Sequence, residues 1–174
     1  MSEYPEILGK PRAFEAILYG WLAVGILDMC DAYFFFGFYY NISFFRVFQG
    51  VAAGLYGREA ARAGGISTGL QGLALHFVVA FGVSLVFYLL CTQFKFLYRQ
   101  PFIWGPIYGI GVNFFMQYVV IPFSAIPATA ADRFAPLVFD WPFVNSIVGH
   151  ALLIGLPLAL INNWSAKRNR DKLQ

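Results

Sequence analysis

The chain has 174 residues, of which 59% are hydrophobic, 20% are aromatic and only 12% are charged. A typical soluble domain carries about 25% charged residues, so this chain has too few polar side chains to solvate the surface of a water-soluble globule. Its formal net charge of +3 is too small for a surface that follows nucleic-acid phosphates, and its hydrophobicity excludes intrinsic disorder. The composition therefore predicts a one-domain protein of the lipid bilayer without a nucleic-acid partner.

Four hydrophobic stretches are long enough to cross about 30 Å of hydrocarbon as helices that rise about 1.5 Å per residue. They cover residues 13–40, 69–92, 102–123 and 143–162. Backbone polar groups in lipid must be hydrogen-bonded within the protein, which favours helices for all four segments. The predicted fold class is an all-α membrane protein, a single domain over residues 1–174 with four transmembrane helices.

Residues 43–63 predict an additional amphipathic helix between the first and second spans. Apolar residues recur there every three or four positions, with polar residues between them. The apolar positions are Phe44, Phe45, Phe48, Val51 and Leu55. This pattern predicts a helix lying in the membrane interface and ending at Gly64-Gly65, and a shallow re-entrant helix is the alternative.

The distribution of Lys and Arg predicts the orientation of the chain. Eight of these residues lie in the N-terminal segment, the second connection and the C-terminal tail, whereas four lie in the other two connections. Cytoplasmic loops carry the excess of positive charge in multi-pass proteins. We therefore expect both termini to face the cytoplasm, and the proline-containing stretch 126–142 to form an external loop.

Polar side chains inside the predicted spans are candidate functional residues, because they are costly in lipid and usually face a bundle interior or a cavity. These residues are Asp28 and Asp31 in the first span, His76 in the second, Asn113 and Gln117 in the third, and Asn145 and His150 in the fourth. Their positions along the spans place all of them in the half of the bilayer away from the termini. We predict a polar cluster there, capped by Arg46 from the interfacial helix.

Several chemistries could use this cluster. His76 and His150 could ligate a b-type haem, or a transition-metal ion together with Asp28 or Asp31, although no ligand-spacing motif such as HxxxH or CxxC is present. Because histidine titrates near neutral pH, proton or ion transfer through the aspartates and histidines is a further hypothesis. The structural alternative is that the polar groups bond to one another and hold the helices together. No metal and no cofactor is predicted, with haem b as the alternative.

Four segments resemble a family of bacterial inner-membrane proteins that are broadly like the YagU-type four-helix proteins. The segments are GWLAVGILDMCDAYFFFG (20–37), RVFQGVAAGLYGREA (46–60), GLALHFVVAF (72–81) and GPIYGIGVNFFMQYVVIPFSA (105–125). The resemblance covers about residues 20–164. It implies a multi-pass protein of the bacterial inner membrane, and it supplies no catalytic residues.

The sequence contains no P-loop, HExxH or GxGxxG motif, so no enzymatic activity is predicted. We expect a small subunit or accessory component of a larger membrane complex, bound to another membrane protein or to a second copy of itself. Small residues four apart, such as Gly105 and Gly109, allow close helix contacts within the bundle or with such a partner. The alternatives are a proton- or ion-linked permeation protein that uses the polar cluster, and a bis-histidine haem electron carrier.

Overall fold

The structure, a computed structural model, describes residues 9–127, 129 and 138–171. Its helices are α1 (Ala13–Tyr40), α2 (Phe44–Tyr56), α3 (Arg58–Ala63), α4 (Gly65–Gln93), α5 (Phe96–Arg99), α6 (Pro101–Phe115), α7 (Trp141–Gly149) and α8 (Leu156–Asp171). A π-helix at Met116–Val120 continues α6, and another at His150–Gly155 joins α7 to α8. The described residues include no strand. Most of the predicted external loop, residues 128 and 130–137, lies outside the described part of the chain, as do residues 1–8 and 172–174.

Three helices among the described residues are long and apolar enough to cross a membrane: Ala13–Tyr40, Gly65–Gln93 and Trp141–Asn169. The first has the predicted bounds, and the other two extend beyond theirs at both ends. The predicted span 102–123 is not among the three. It corresponds to α6 and its π-helical continuation, where Pro106, Asn113 and Gln117 lower the hydropathy of the segment.

Hydrogen bonds identify the two ends of the bundle. At the end that we call the terminal end, the Arg12 amide donates to Ser165 Oγ at 2.9 Å, and the Tyr98 hydroxyl donates to the Gly9 carbonyl at 3.1 Å. At the opposite end, the loop end, the Ala125 amide donates to the Gly54 carbonyl at 2.9 Å. The segment 101–120 therefore runs from the terminal end to the loop end, antiparallel to the long helix 141–171.

Glycines bring α6 against the π-helix His150–Gly155. A Cβ at Gly109 would clash with the His150 carbonyl, and a Cβ at Gly155 would clash with the Gly105 carbonyl. Small residues allow helix backbones to approach this closely. The Gly105 and Gly109 pair is thus used for packing within the chain.

The predicted helix 43–63 is divided in two. Gly57 has φ +78°, a conformation that glycine adopts far more readily than other residues, and it separates α2 from α3. Phe48 and Gln49 are buried, because α2 packs along α4. Gln49, expected on the polar face, donates instead to the Gly65 carbonyl at 2.9 Å. Gly65, expected to end the helix, begins α4 with φ +58°.

An apolar core fills the half of the bundle next to the terminal end. It includes Phe87, Cys91, Tyr98 and Leu158, each at most 1% exposed. Burial raises the pKa of the Tyr98 phenol, which therefore remains a hydrogen-bond donor at neutral pH. This core closes the bundle on the terminal side of the polar residues of the spans.

Candidate functional site

A cavity of about 320 Å³ lies among α1, α4, α6 and α7 in the half of the bundle next to the loop end. Its polar lining residues are Asp28, Asp31, His76, Asn113, Gln117, Asn145, Ser146 and His150. The lining residues of α1 extend from Val24 to Phe36, a rise of about 18 Å along the helix. Val24 and Ile154, at the inner limit of the cavity, also belong to the apolar core. The cavity is therefore closed toward the terminal end. We call it the Asp/His cavity.

The structure brings together seven polar residues that the sequence places at one depth, including both aspartates and both histidines. Arg46 does not join them. It is exposed on α2 and is absent from the lining of the cavity, because α2 packs on α4 through Phe48 and Gln49. In the part of the chain that the structure describes, none of the lining residues is a lysine or an arginine.

Asp28 and His76 form a pair across α1 and α4. His76 Nε2 lies 2.9 Å from the Gly25 carbonyl oxygen, which can only accept, so Nε2 carries a hydrogen. His76 Nδ1 lies 3.8 Å from Asp28 Oδ2. In the neutral imidazole this nitrogen is an acceptor, as is the carboxylate oxygen that faces it. One added proton, on either group, changes this contact into a donor–acceptor pair.

Asp31 and His150 are held from α7. The Asn145 amide donates to Asp31 Oδ2 at 3.2 Å. A Cβ at Gly149 would lie 2.9 Å from the same oxygen, so the absence of a side chain lets the carboxylate approach α7. His150 Nδ1 lies 2.9 Å from the Ser146 carbonyl and therefore donates to it. Its Nε2 is the ring nitrogen left for a proton or a ligand.

Asn113 is the most deeply buried polar residue of the cavity, with 1% of its surface exposed. Its Oδ1 accepts a hydrogen bond from the Ser146 hydroxyl. Its Nδ2 is buried and has no hydrogen-bond partner. An unmade bond at a buried donor costs about 1–3 kcal/mol, which makes this amide a position where a bound ligand would gain affinity.

Both π-helices contribute to the cavity. Gln117 lies in the π-helix Met116–Val120, and His150 is the first residue of the π-helix His150–Gly155. A π-turn inserts one residue into a helix and changes the direction of the side chains that follow, and such turns are frequent at functional sites. Neither turn was predicted, because helical periodicity alone carries no signal for it.

Three residues of the site were not identified from the sequence. Gly25 supplies the carbonyl that orients His76, Ser146 bonds to both Asn113 and His150, and Gly149 makes room for Asp31. Ser146 carried the clearest signal, since it lies four residues before His150 on the same helix. The roles of the two glycines depend on how α1, α4 and α7 face one another, which spacing along one segment does not report.

A bound metal ion or haem would need ligand side chains that converge on it. Among residues 9–127, 129 and 138–171, no group of three or more His, Cys, Asp or Glu side chains is arranged to hold a metal ion. Each histidine donates one ring hydrogen to a backbone carbonyl, which is the usual second bond of a ligating imidazole. His76 would offer Nδ1 and His150 Nε2, so the haem hypothesis stays a prediction.

No family model matches the chain, and no curated protein and no solved structure is significantly similar to it. The resemblance to YagU-type proteins therefore stays a prediction. What the protein does has to be inferred from the Asp/His cavity and from the three helices that are long and apolar enough to cross a membrane.

Proposed function

We propose that this protein is a four-span membrane protein that moves protons, or a small cation coupled to them, through the Asp/His cavity. The observation that carries this proposal is the Asp28–His76 contact, in which two acceptor atoms face each other at 3.8 Å and one proton completes the pair. Proton relays in membranes are commonly built from aspartate and histidine.

A fourth membrane crossing by residues 101–120 is supported by the positions of the chain ends. Residues at both ends of the described chain meet at the terminal end, where the Asn169 side chain donates to the Lys10 carbonyl at 3.0 Å. A segment whose two ends lie on the same side of a membrane crosses it an even number of times, which favours a fourth crossing beside the three apolar helices. We further propose that this side is the cytoplasm and that the membrane is the bacterial inner membrane, in accordance with the Lys and Arg distribution.

The closed inner limit of the cavity favours a gated route over an open pore. From Val24 and Ile154 toward the terminal end, the side chains that face the bundle interior are fully buried, as Phe87 and Leu158 are. Passage to the terminal end requires these side chains to move, and such rearrangements occur on the microsecond to millisecond timescale or more slowly. We therefore expect slow, saturable flux and no channel-like conductance.

Proton flux into vesicles tests the proposal. The purified chain is reconstituted in phosphatidylethanolamine and phosphatidylglycerol vesicles that contain a pH-sensitive dye, and a potassium diffusion potential is applied. Wild-type vesicles are expected to acidify faster than protein-free vesicles. Asp28→Asn and His76→Gln, which keep the size of the side chains, are expected to lose this flux.

Asp140→Asn provides the matched control. Asp140 is exposed at the start of α7, where its side chain accepts from the Phe143 amide at 2.9 Å, and asparagine can make the same bond. Its flux should equal that of the wild type. Size-exclusion profiles establish that each variant is folded. Wild-type flux no faster than in protein-free vesicles, or unchanged flux in both Asp28→Asn and His76→Gln, overturns the proposal.

A non-enzymatic subunit of a larger membrane complex is the second candidate. Gly50 and Gly54 lie four apart on α2, and a Cβ at either position would meet open space. A face of this kind allows a helix of another chain, or of a second copy, to approach closely. Native purification followed by mass spectrometry tests it: a stoichiometric partner that is lost in Gly50→Leu supports it, and a chain that purifies alone contradicts it.

The haem carrier is tested on the same sample. A bis-histidine haem gives an intense absorption band near the violet end of the visible spectrum that shifts on reduction. A colourless protein purified from haem-supplemented cells would remove this hypothesis, and it would leave the proton hypothesis unaffected.

A further inference from the structure

The amide of Asn113 leaves one hydrogen-bond donor unpaired at the Asp/His cavity. Asn113 is 1% exposed and lines the cavity, and its Nδ2 has no partner. Its other polar atom, Oδ1, is already occupied by the Ser146 hydroxyl. The side chain is therefore held in place with a donor left open. A carbonyl or hydroxyl oxygen of a ligand would satisfy it.

The charges of the cavity favour a cation. Asp28 and Asp31 both line it, and among the described residues no lysine or arginine does. Asp31 is bonded to the neutral amide of Asn145, and His150 is the basic side chain that interacts with it. A half-buried carboxylate without a permanently charged partner is costly, and a positively charged ligand group lowers that cost. Asp31 is thus the natural anchor for the positive group, whereas Asp28 already faces His76.

The size and walls of the cavity favour an organic molecule over a bare ion. A volume of about 320 Å³ is on the order of ten water molecules at about 30 Å³ each, and it lies at the lower end of the range for small-molecule sites. Phe35, Val79 and Ile154 form part of an apolar wall. Such walls gain free energy by contact with a hydrocarbon segment and none by contact with an inorganic ion.

Both anchors are held from α7. Asp31 is bonded to Asn145 and Asn113 is bonded to Ser146, and these two partners are consecutive residues of that helix. A molecule with two polar ends can address both anchors from within the one cavity that both of them line. We propose that the cavity binds a small organic molecule that carries a protonated amine and a hydrogen-bond acceptor, such as an amino alcohol, with the ammonium group against Asp31 and the acceptor on Asn113 Nδ2.

This inference rests on the proposed function in one respect only: the bound amine is the cation that the cavity moves. The test uses the purified full-length chain in detergent and three probes of equal length, 5-amino-1-pentanol, pentylamine and 1,5-pentanediol. Binding is measured from the rise in thermal unfolding temperature with probe concentration. The amino alcohol is expected to bind tightest, pentylamine about tenfold more weakly, and the diol not at all.

Two variants assign the anchors. Asp31→Asn is expected to weaken both amines by at least about tenfold. Asn113→Leu is expected to abolish the preference for the amino alcohol over pentylamine while retaining the binding of both. If Asn113→Leu does not fold, the affinities of the three probes for the wild type still test whether the ligand needs both an amine and an acceptor. Asp140→Asn, outside the cavity, should bind as the wild type does.

The outcomes separate this inference from the proposed function. If no probe binds, if the diol binds as well as the amino alcohol, or if Asp31→Asn binds the amines unchanged, the inference is wrong, and proton flux into vesicles remains its own independent result. If the amino alcohol binds as expected and wild-type vesicles show no proton flux, the ligand inference stands and the transport proposal fails.

Discussion

The loop half and the terminal half of the bundle both bury polar side chains, but they bury them in different ways. In the terminal half, Ser84 Oγ donates to the Ile17 carbonyl at 3.0 Å and the Tyr108 hydroxyl donates to the Val83 carbonyl at 2.7 Å. Each of these groups is bonded to a backbone carbonyl of another helix. They hold helices together.

In the loop half, the polar side chains surround the Asp/His cavity. Asn113 keeps an unused donor, and Asp28 faces an acceptor on His76. Asn162 is an instructive contrast, because its Oδ1 also has no partner but it lies in the packed terminal half. An open polar group is therefore a sign of a site only where a cavity accompanies it. The comparison separates polar residues that serve packing from those that are available for a ligand or a proton.

The largest expected effect is a loss of stability when the terminal core is truncated. Leu158 is fully buried in that core, and Leu158→Ala should lower the free energy of unfolding by about 2–5 kcal/mol, because it removes contacts and leaves a void. Leu160→Ala is the matched control on the same helix, since Leu160 is 38% exposed. Unfolding by a denaturing detergent, monitored by tryptophan fluorescence, measures both. Equal losses in the two variants would mean that the terminal half is not a packed core.

Water access is expected to differ almost as much between the halves. In a chain whose free cysteines, Cys30 and Cys91, are replaced by alanine, Ser146→Cys places a thiol in the cavity and Ser84→Cys places one in the packed half. A buried thiol reacts only after local opening, and an opening free energy of about 3 kcal/mol slows the reaction on the order of a hundredfold. A charged thiol reagent should therefore modify Ser146→Cys much faster. Similar rates would remove the distinction between a wet and a dry half.

Much of this division was predictable from the sequence, because the sequence indicates how deep in the membrane each polar residue lies. Position along a hydrophobic segment reports how far a residue lies from the membrane surface, so Asp28, His76 and His150 were placed at one level without knowledge of the packing. The bounds of α1 followed in the same way from a long and mostly apolar run. Rotation about the helix axis carries no comparable signal. The partners that depend on it, the Gly25 carbonyl and Ser146, were missed.

The failures of prediction have the same origin. Arg46 was expected over the cavity, but packing of Phe48 on α4 decides how α2 is turned. The break at Gly57 depends on a left-handed backbone conformation that a three-to-four-residue periodicity does not reveal. The fourth span, predicted at 102–123, is not a failure of this kind. Its polar and proline residues keep the segment 101–120 outside the three helices that qualify by length and hydropathy, and it stays a prediction.

The contact between α6 and the π-helix His150–Gly155 joins the two halves, and it should be sensitive to one added methyl group. Gly109→Ala forces a Cβ against backbone atoms of His150 and Ala151, so α6 must move away, at a cost of about 1–3 kcal/mol. Gly111→Ala, two residues along the same helix, meets open space and should be neutral or stabilising by up to about 1 kcal/mol, as alanine favours helix. The thermal unfolding temperature should therefore fall in Gly109→Ala and stay unchanged or rise in Gly111→Ala. A fall of similar size in both variants would show that the contact of Gly109 with the backbone of His150 is not the cause of the loss.

The smallest expected effect concerns Glu15, which is 7% exposed and ties α1 to α8 at the terminal end. It accepts hydrogen bonds from Ser165 Oγ at 3.2 Å and from the Arg12 guanidinium. Glu15→Gln retains the shape but removes the charge, and interhelical polar contacts in membrane proteins contribute about 0.6–2 kcal/mol.

Glu15→Gln should therefore lower stability within that range while leaving proton flux and amine binding at wild-type levels, since Glu15 is not part of the Asp/His cavity. Glu59→Gln is the matched control, because Glu59 is exposed on α3, and it should change neither stability nor flux. A loss of flux in Glu15→Gln at unchanged stability would contradict the division between the halves. It would extend the polar route from the cavity through the packed core to the terminal end.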